Sequence, residues 1–202
     1  MPLYINGNEF EILGSNHGDI TIEKIISGQM DSLYFPITIK EFAAKLAFKS
    51  LSEESFDIGD LHVQTLLLNH PGRCLGYRVQ HDDKLFCYIS DHEIYLEESP
   101  QHNQFEVDRL INFISGADLM VIDTTYTDEE YAKKIGWGHS CISRVVDVAD
   151  KANVKILCLY HHDPDQFDKE IDLKLEKAKL LLKNRQSKTQ CITAHEGDKI
   201  VI

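Results

Sequence analysis

The spacing of the apolar residues changes part-way along this 202-residue chain, and that change restricts it to a layered mixture of strands and helices. Up to about residue 90, short apolar runs are separated by turn residues. Ser55-Phe56-Asp57-Ile58-Gly59-Asp60 reads as a hairpin feeding a strand from Leu61 to Leu68. A Pro71-Gly72 turn precedes Gly76 to Val79, and Asp82-Asp83 turns the chain into Leu85 to Ile89. Short strands this close together predict an antiparallel sheet. Further on, Val107, Leu110, Ile111 and Ile114 recur at helical spacing and stop at Gly116. A buried strand at Leu119 to Ile122 follows, then a helix opened by a Thr127/Glu130 capping box and ended at Gly136. Ser140 is the expected cap of the next helix, whose apolar face is Val145, Val148, Ala149 and Ala152. Val154 to Leu159 reads as a strand, Asp165 to Asn184 as a long helix, and Gln190 to Ile202 as two short final strands. Nearer the start, Tyr4 to Leu13 reads as a strand interrupted by Asn6-Gly7-Asn8, and Thr21 to Met30 as a short helix; Ser32 to Lys49 is mixed. The whole predicts one layered α/β domain over residues 1–202.

Composition narrows the function. The formal charge is −12, which argues against a surface built to release counterions from nucleic acid. No apolar run approaches the roughly 20 residues of a membrane span, and the first residues show no basic and apolar leader, so the expected location is the cytoplasm. Five cysteines without a CxxC pair support neither a disulfide framework nor a thiolate zinc site. Ten histidines are many for this length and are the first hint of metal.

Four polar residues stand where strands should end: His70, Asp91, Asp123 and His161. A fifth, His139, lies between a glycine and the expected cap Ser140. Strand ends are where a rigid sheet presents ligands to a common cleft. Imidazoles joined by a carboxylate suit zinc, and also manganese or iron. Spacing alone does not select these five. A histidine before Pro-Gly is commonly a turn residue, aspartates at strand ends commonly cap or turn, and His161-His162-Asp163-Pro164 also suits a surface loop. His17, His62, His81, His92, His102 and His195 have no supporting pattern.

The order of the segments does select. Leu-Leu-Leu-Asn-His-Pro-Gly at 66–72 with Leu-Gly-Tyr-Arg-Val at 75–79, Tyr-Ile-Ser-Asp-His-Glu at 88–93, and Leu-Tyr-His-His-Asp-Pro at 159–164 resemble successive ligand motifs of the metallo-β-lactamase superfamily. Ala-Asp-Leu-Met-Val-Ile-Asp-Thr-Thr-Tyr-Thr at 117–127 with Gly-Trp-Gly-His-Ser at 136–140 resembles its phosphodiesterase and ribonuclease Z-like branch. The resemblance runs in register over nearly the whole chain. It implies a four-layer αββα sandwich missing its first strands, with His70 and His161 as metal ligands and Asp91 as the bridging carboxylate. His139 is then the proton donor at a scissile phosphate, and Asp123 the carboxylate orienting it. His161 is preferred to His162 because it directly follows the strand.

The superfamily's first motif, His-x-His-x-Asp-His, is absent: no two histidines here are separated by a single residue. A complete site of this kind holds two divalent ions, zinc being expected, whereas this chain as given is expected to hold one or none. The resemblance implies hydrolysis of a small phosphodiester such as a cyclic nucleotide by a metal-activated hydroxide. The alternative is a catalytically lapsed domain that binds a metal, a ligand or a protein. An RNA substrate is disfavoured by the charge and by the short Asp91 to Asp123 segment, which leaves no room for the long RNA-gripping arm of ribonuclease Z. No membrane partner is expected. An uncovered sheet would favour a homo-oligomer or exchange of a segment between copies.

Overall fold

The computed structural model describes residues 2–34 and 36–202. They fall into two compact units, Met1–Ser52 and Glu53–Ile202, each described by itself. In the first, strand β1 (Glu9–Ser15), helix α1 (Ile22–Gln29) and strand β2 (Lys45–Leu51) follow a short 3₁₀ turn at Pro2–Tyr4. β1 and β2 pair in parallel, from Glu9 opposite Lys45 to Ser15 opposite Leu51, and the crossover such a pair requires contains α1. The Thr21 hydroxyl caps α1 by accepting from the Lys24 amide. Two expectations shift here. The first strand starts at Glu9, beyond the turn at Gly7 (φ 92°), rather than at Tyr4. The stretch that gave no clear reading contains β2, whose Leu46 and Phe48 alternate with lysines and an alanine.

The second unit is built on seven strands in chain order: β3 (Ser55–Ile58), β4 (Leu61–Leu68), β5 (Cys74–His81), β6 (Lys84–Ile89), β7 (Leu119–Asp123), β8 (Ile156–Tyr160) and β9 (Gln190–Thr193). The first four are antiparallel neighbours and the last four parallel neighbours, with β6 belonging to both sets. This is the change of period seen in the sequence. The parallel strands are linked through helices α2 (Gln104–Ile114), α3 (Asp128–Tyr131), α4 (Ile142–Lys151) and α5 (Asp168–Asn184). Three departures from the expected elements concern ends. Ser140 does not cap α4; Cys141 holds the cap position without a side-chain bond, and the Ser140 hydroxyl is used elsewhere. The Thr127/Glu130 capping box is present but opens a helix of only four residues. A single strand, not two, occupies the C-terminal stretch.

The core lies on one face of this sheet. Leu66 and Leu68 of β4, Leu85, Cys87 and Ile89 of β6, Met120 and Ile122 of β7, and Leu157 and Leu159 of β8 share it by alternation. Against them pack Val107, Leu110 and Ile114 of α2, Ile142, Val145, Val146 and Ala149 of α4, and Ala178 and Leu182 of α5. Gly76 of β5 lies in this layer because a Cβ there would come within 2.9 Å of Ile89 Cδ1 and 3.0 Å of Leu68 Cδ2. Arg78 donates from the same face to the carbonyls of Phe113 and Ser115, closing the C-terminal end of α2. Among the described residues no helix is long and apolar enough to cross a membrane.

Four core thiols make stability depend on alkaline pH. Burial pushes Cys87 and Cys191 up to about 12, and Cys141 and Cys158 up to about 11, from an ordinary value of 9.0. Folded thiols therefore keep protons that unfolded ones lose, so this contribution is full below pH 9 and disappears as pH rises through the folded values. Buried Lys174, pushed down to about 8, acts in the opposite sense, as one group against four. Urea unfolding is expected to show a free energy that falls steadily from pH 9 to 11, and Cys87→Ala should make that fall shallower.

Candidate metal centre

The topology brings four strand ends to one edge. β4 and β6 both run opposite to β5, so they point the same way, and β7 and β8 run parallel to β6. The residues just past β4 and β6, the last residue of β7 and the first past β8 thus emerge together. These are His70, Asp91, Asp123 and His161. The register makes the convergence close: Ile89 lies opposite Ile122, and Asp123 opposite Tyr160. His139 arrives from the loop between α3 and α4.

Asp91, Asp123, His139 and His161 each direct one potential ligand atom into a cluster in which these atoms all lie within 4.8 Å of one another. The rings of His139 and His161 stack, with centroids 4.9 Å apart. His70 lies outside that cluster but beside it, its ring centroid 5.5 Å from that of His139. Its Nδ1 is 3.1 Å from both the carbonyl and the amide of Gly72. Engaging Nδ1 there leaves Nε2 free to bind another group.

The two aspartates differ sharply. Asp123 is fully buried and its oxygens are used up. Oδ2 accepts from the His92 amide at 3.0 Å and from His139 Nδ1 at 2.7 Å, while Oδ1 accepts from the Thr125 amide at 3.0 Å and lies 2.7 Å from the Thr125 hydroxyl. A carboxylate so committed is held in place by its neighbours and in turn holds the His139 ring. The hydrogen bond to Asp123 holds the His139 imidazole above the usual histidine range, against the opposing effect of burial. Asp91 is the reverse case: its Oδ1 is buried and accepts no hydrogen bond. His161 Nε2 is 3.2 Å away without donating to it. A buried carboxylate oxygen with no donor, facing an imidazole nitrogen, suits a divalent cation.

Asp91 and His161 share a second trait, backbone φ angles of 43° and 54°. Left-handed conformations cost a non-glycine residue about 1–3 kcal/mol each and persist where surroundings enforce them. Around Asp91, the His92 amide is held by Asp123, and the Glu93 amide by the Asn69 carbonyl at 2.8 Å. Around His161, the carbonyl lies 2.7 Å from the Thr125 hydroxyl. The next residue turns away: His162 Nδ1 accepts from Lys174 Nζ at 3.1 Å, and burial pushes His162 down to about 4. Lys174, 1% exposed, also donates to the Thr125 carbonyl and to Gln166 Oε1, both at 3.0 Å. It fastens the 161–166 loop to the segment just past β7. His161 is therefore the histidine of the pair that faces the cluster.

The sequence reading passed over His92 and Lys174. His92 is buried and pushed down to about 4 by that burial, and its Nδ1 accepts from the Asn69 amide at 2.9 Å. It is a structural histidine, as its lack of pattern suggests. Lys174 stood in a charged stretch that reads as a solvated helix face, and no local signal marks it as the one lysine turned inward.

The family follows from comparison. A model of the β-lactamase superfamily domain matches residues 36–162, more than half the chain. The chain belongs to that superfamily. Solved structures share its fold. Unliganded yeast PDE1 aligns with a TM-score of 0.72 at 13% identity, covering 96% of this chain and 61% of that one. The metallo-β-lactamase fold protein YhfI from Bacillus subtilis aligns at 0.66 and 16% identity, covering 95% and 63%. Among curated superfamily relatives, ribonuclease Z of Thermoplasma acidophilum is 23% identical over 188 residues, covering 73% of this chain and 57% of its own length. That of Sulfolobus acidocaldarius is 32% identical over 90 residues, covering 43% and 30%. The chain thus spans less than two thirds of the curated relatives it matches.

The contrast within His161-His162 gives a direct test. Titration of zinc or manganese by calorimetry is expected to show affinity reduced on the order of 10²-fold or more by His161→Ala or Asp91→Asn, a loss at least as large as that from removing an outer partner of a ligand. His162→Ala should stay within a few-fold of the wild type.

Proposed function

We propose that this chain carries part of a metal-dependent phosphoesterase centre, acting on a small phosphodiester such as a cyclic nucleotide. The observation that carries this reading is the Asp123–His139 pair at 2.7 Å, set against the cluster that contains Asp91 and His161. Several relatives and neighbours bear names of phosphoester-cleaving enzymes: ribonuclease Z, the short form of human tRNase Z, and a diphosphatase of the PhnP family. The net charge of −12 favours a small substrate over an RNA polymer.

His70, Asp91 and His161 are the residues that would hold divalent ions, zinc being the best fit to imidazole and carboxylate donors. When bound, such ions lower the pKa of water and neutralise charge on a phosphoryl group. The protein's own residues supply the rest. Asp123 holds His139 Nδ1 and so directs Nε2 outward, with the imidazole kept protonated more readily than a free one. A protonated Nε2 at the edge of the cluster is placed to bind a phosphate oxygen and to give its proton to the departing alkoxide. Asp123 stands behind it, bonded to Nδ1, and steadies the ring when it carries charge.

A second reading, a lapsed domain that binds a metal, a ligand or a protein without turnover, is favoured by the small number of ligands. Three residues are few for two ions, and the sequence contains no His-x-His-x-Asp-His. Metal analysis separates the two readings: about two tightly held ions per chain support the enzyme, and none or one weakly held supports the lapsed domain. Activity is to be assayed on cyclic nucleotides and nitrophenyl phosphodiesters, with a transfer RNA precursor for comparison. His139→Ala is expected to slow turnover of the cyclic nucleotides, whose alkoxide leaving group needs a proton, by roughly 10²–10⁴-fold, the usual loss for a general acid, with metal content unchanged and nitrophenyl esters much less affected. Wild-type rates on the cyclic nucleotides in that variant would remove His139 from the reaction.

A further inference from the structure

Glu93 stands two residues beyond Asp91, is 2% exposed, and belongs to none of the groups assigned above. Its carboxylate accepts three hydrogen bonds. The Tyr131 hydroxyl at 2.8 Å and the Gly136 amide at 2.7 Å reach Oε1; the Gly138 amide at 2.8 Å reaches Oε2. Among the described residues no lysine, arginine or histidine forms an ion pair with it. Its partners are backbone dipoles and a phenol whose own ionisation burial and this carboxylate both oppose.

The two amides it grips bracket the approach to His139. Gly136 and Gly138 have φ of 85° and 91°, which side chains rarely allow and which let both N–H groups turn to one anion. Gly138 is constrained on its other side as well. A Cβ there would lie 2.5 Å from His70 Cδ2 and 2.6 Å from Pro71 Cδ. Gly138, the residue before His139, is therefore fixed by Glu93 through its amide and by His70 and Pro71 at its Cα.

We infer that Glu93 is a positioning residue for His139, locking the Gly136–Gly138 loop so that the imidazole meets Asp123 and faces the cluster. Glu93 and Asp91 lie on one short segment, so the same piece of backbone sets both the cation-facing carboxylate and the proton donor. This inference rests on the role proposed for His139, but its central test does not require activity. Glutamine is nearly the same shape and offers one acceptor oxygen; its NH₂ would confront one of the two glycine amides. Glu93→Gln thus releases one end of the loop. Tyr131→Phe removes one of the three bonds and leaves both amides held.

The first readout is the proton NMR signal of the His139 Nδ1–H, shifted downfield by its bond to Asp123 and assigned by its loss in Asp123→Asn. The signal is expected in the full chain and in Tyr131→Phe, and is expected to broaden or vanish in Glu93→Gln with native circular dichroism retained. Its persistence in Glu93→Gln, or its equal loss in Tyr131→Phe, overturns the inference. Should Glu93→Gln not fold, hydrogen exchange in the unaltered chain decides. Slow exchange at the Gly136 and Gly138 amides supports the lock, and exchange as fast as in the exposed 196–199 turn overturns it. The second readout is turnover. With phosphodiesters of poor alkoxide leaving groups, Glu93→Gln should lower kcat roughly 10–100-fold, the usual effect of losing an outer partner, while nitrophenyl esters and metal content change little. Equal loss for both ester classes overturns the assignment to the proton donor. No hydrolysis of any phosphodiester by the unaltered chain, with the NMR result intact, instead refutes the phosphoesterase reading alone.

Discussion

Residues 92–94, just past Asp91, are a buried stretch of backbone with no regular structure, and burying such a stretch requires that its polar groups find partners. They find them at Asn69, Asp123 and Ser140. The His92 amide goes to Asp123, its carbonyl accepts from the Ser140 hydroxyl at 2.6 Å, and its ring accepts from the Asn69 amide. The Glu93 amide bonds the Asn69 carbonyl, and the Glu93 carbonyl accepts from Asn69 Nδ2 at 2.8 Å. The Ile94 amide donates to the Ser140 hydroxyl at 3.1 Å. One segment thus ties the ends of β4 and β7 to the loop before α4. Each bond adds about 1 kcal/mol net, but a buried partner left alone costs about 1–3 kcal/mol. The network therefore resists partial rearrangement, and the left-handed turn at Asp91 is held from both sides.

Within that frame the carboxylates are given different work by their surroundings alone. Asp123 is fully buried and is met by donors on both oxygens. Asp91, nearer solvent, keeps a buried oxygen without a donor. Two aspartates, one at the end of β7 and one just past the adjacent β6, thereby differ: one is bonded on both oxygens and the other keeps one oxygen without a donor. The same division runs through the histidines. His92 is neutral and structural, His162 is committed to Lys174, His139 is bound through Nδ1 to Asp123, and His161 faces Asp91. In each case the partner of one ring nitrogen decides what the other can do.

Much of this was legible in the sequence because strand ends announce themselves. The apolar runs of β4, β6, β7 and β8 end within two residues of His70, Asp91, Asp123 and His161, and parallel order carries those ends to one edge. The Asp123–His139 pair followed from resemblance rather than spacing, since 16 residues of loop and short helix separate them. The inward lysine was not legible. Lys174 is one of many charges on α5, and only the packing of that helix against the 161–166 loop singles it out. Glu93 was quoted within a motif, yet its partners at Tyr131, Gly136 and Gly138 lie about 40 residues away and have no pattern in common with it. Ser140 misled for a related reason: a serine before a helix is usually a cap, but here its hydroxyl is drawn to the more demanding backbone of 92–94.

The cost of the site explains where it sits. Two strained backbones at about 1–3 kcal/mol each, a buried lysine and a buried carboxylate held by dipoles are destabilising burdens for a domain whose net stability is only about 5–15 kcal/mol. They are concentrated at one edge of the sheet, outside the face where Met120, Ile122, Leu157 and Leu159 pack against α4 and α5. There the aliphatic side chains are close to full burial, and each contributes on the order of 1.5–3 kcal/mol. The helix-covered layer supplies the stability and the strand ends supply the strain, and the register joining Asp123 to Tyr160 keeps the two within a single rigid sheet. A cation seated against Asp91 would offset part of that burden, since it satisfies a buried carboxylate oxygen that the protein's own donors leave alone.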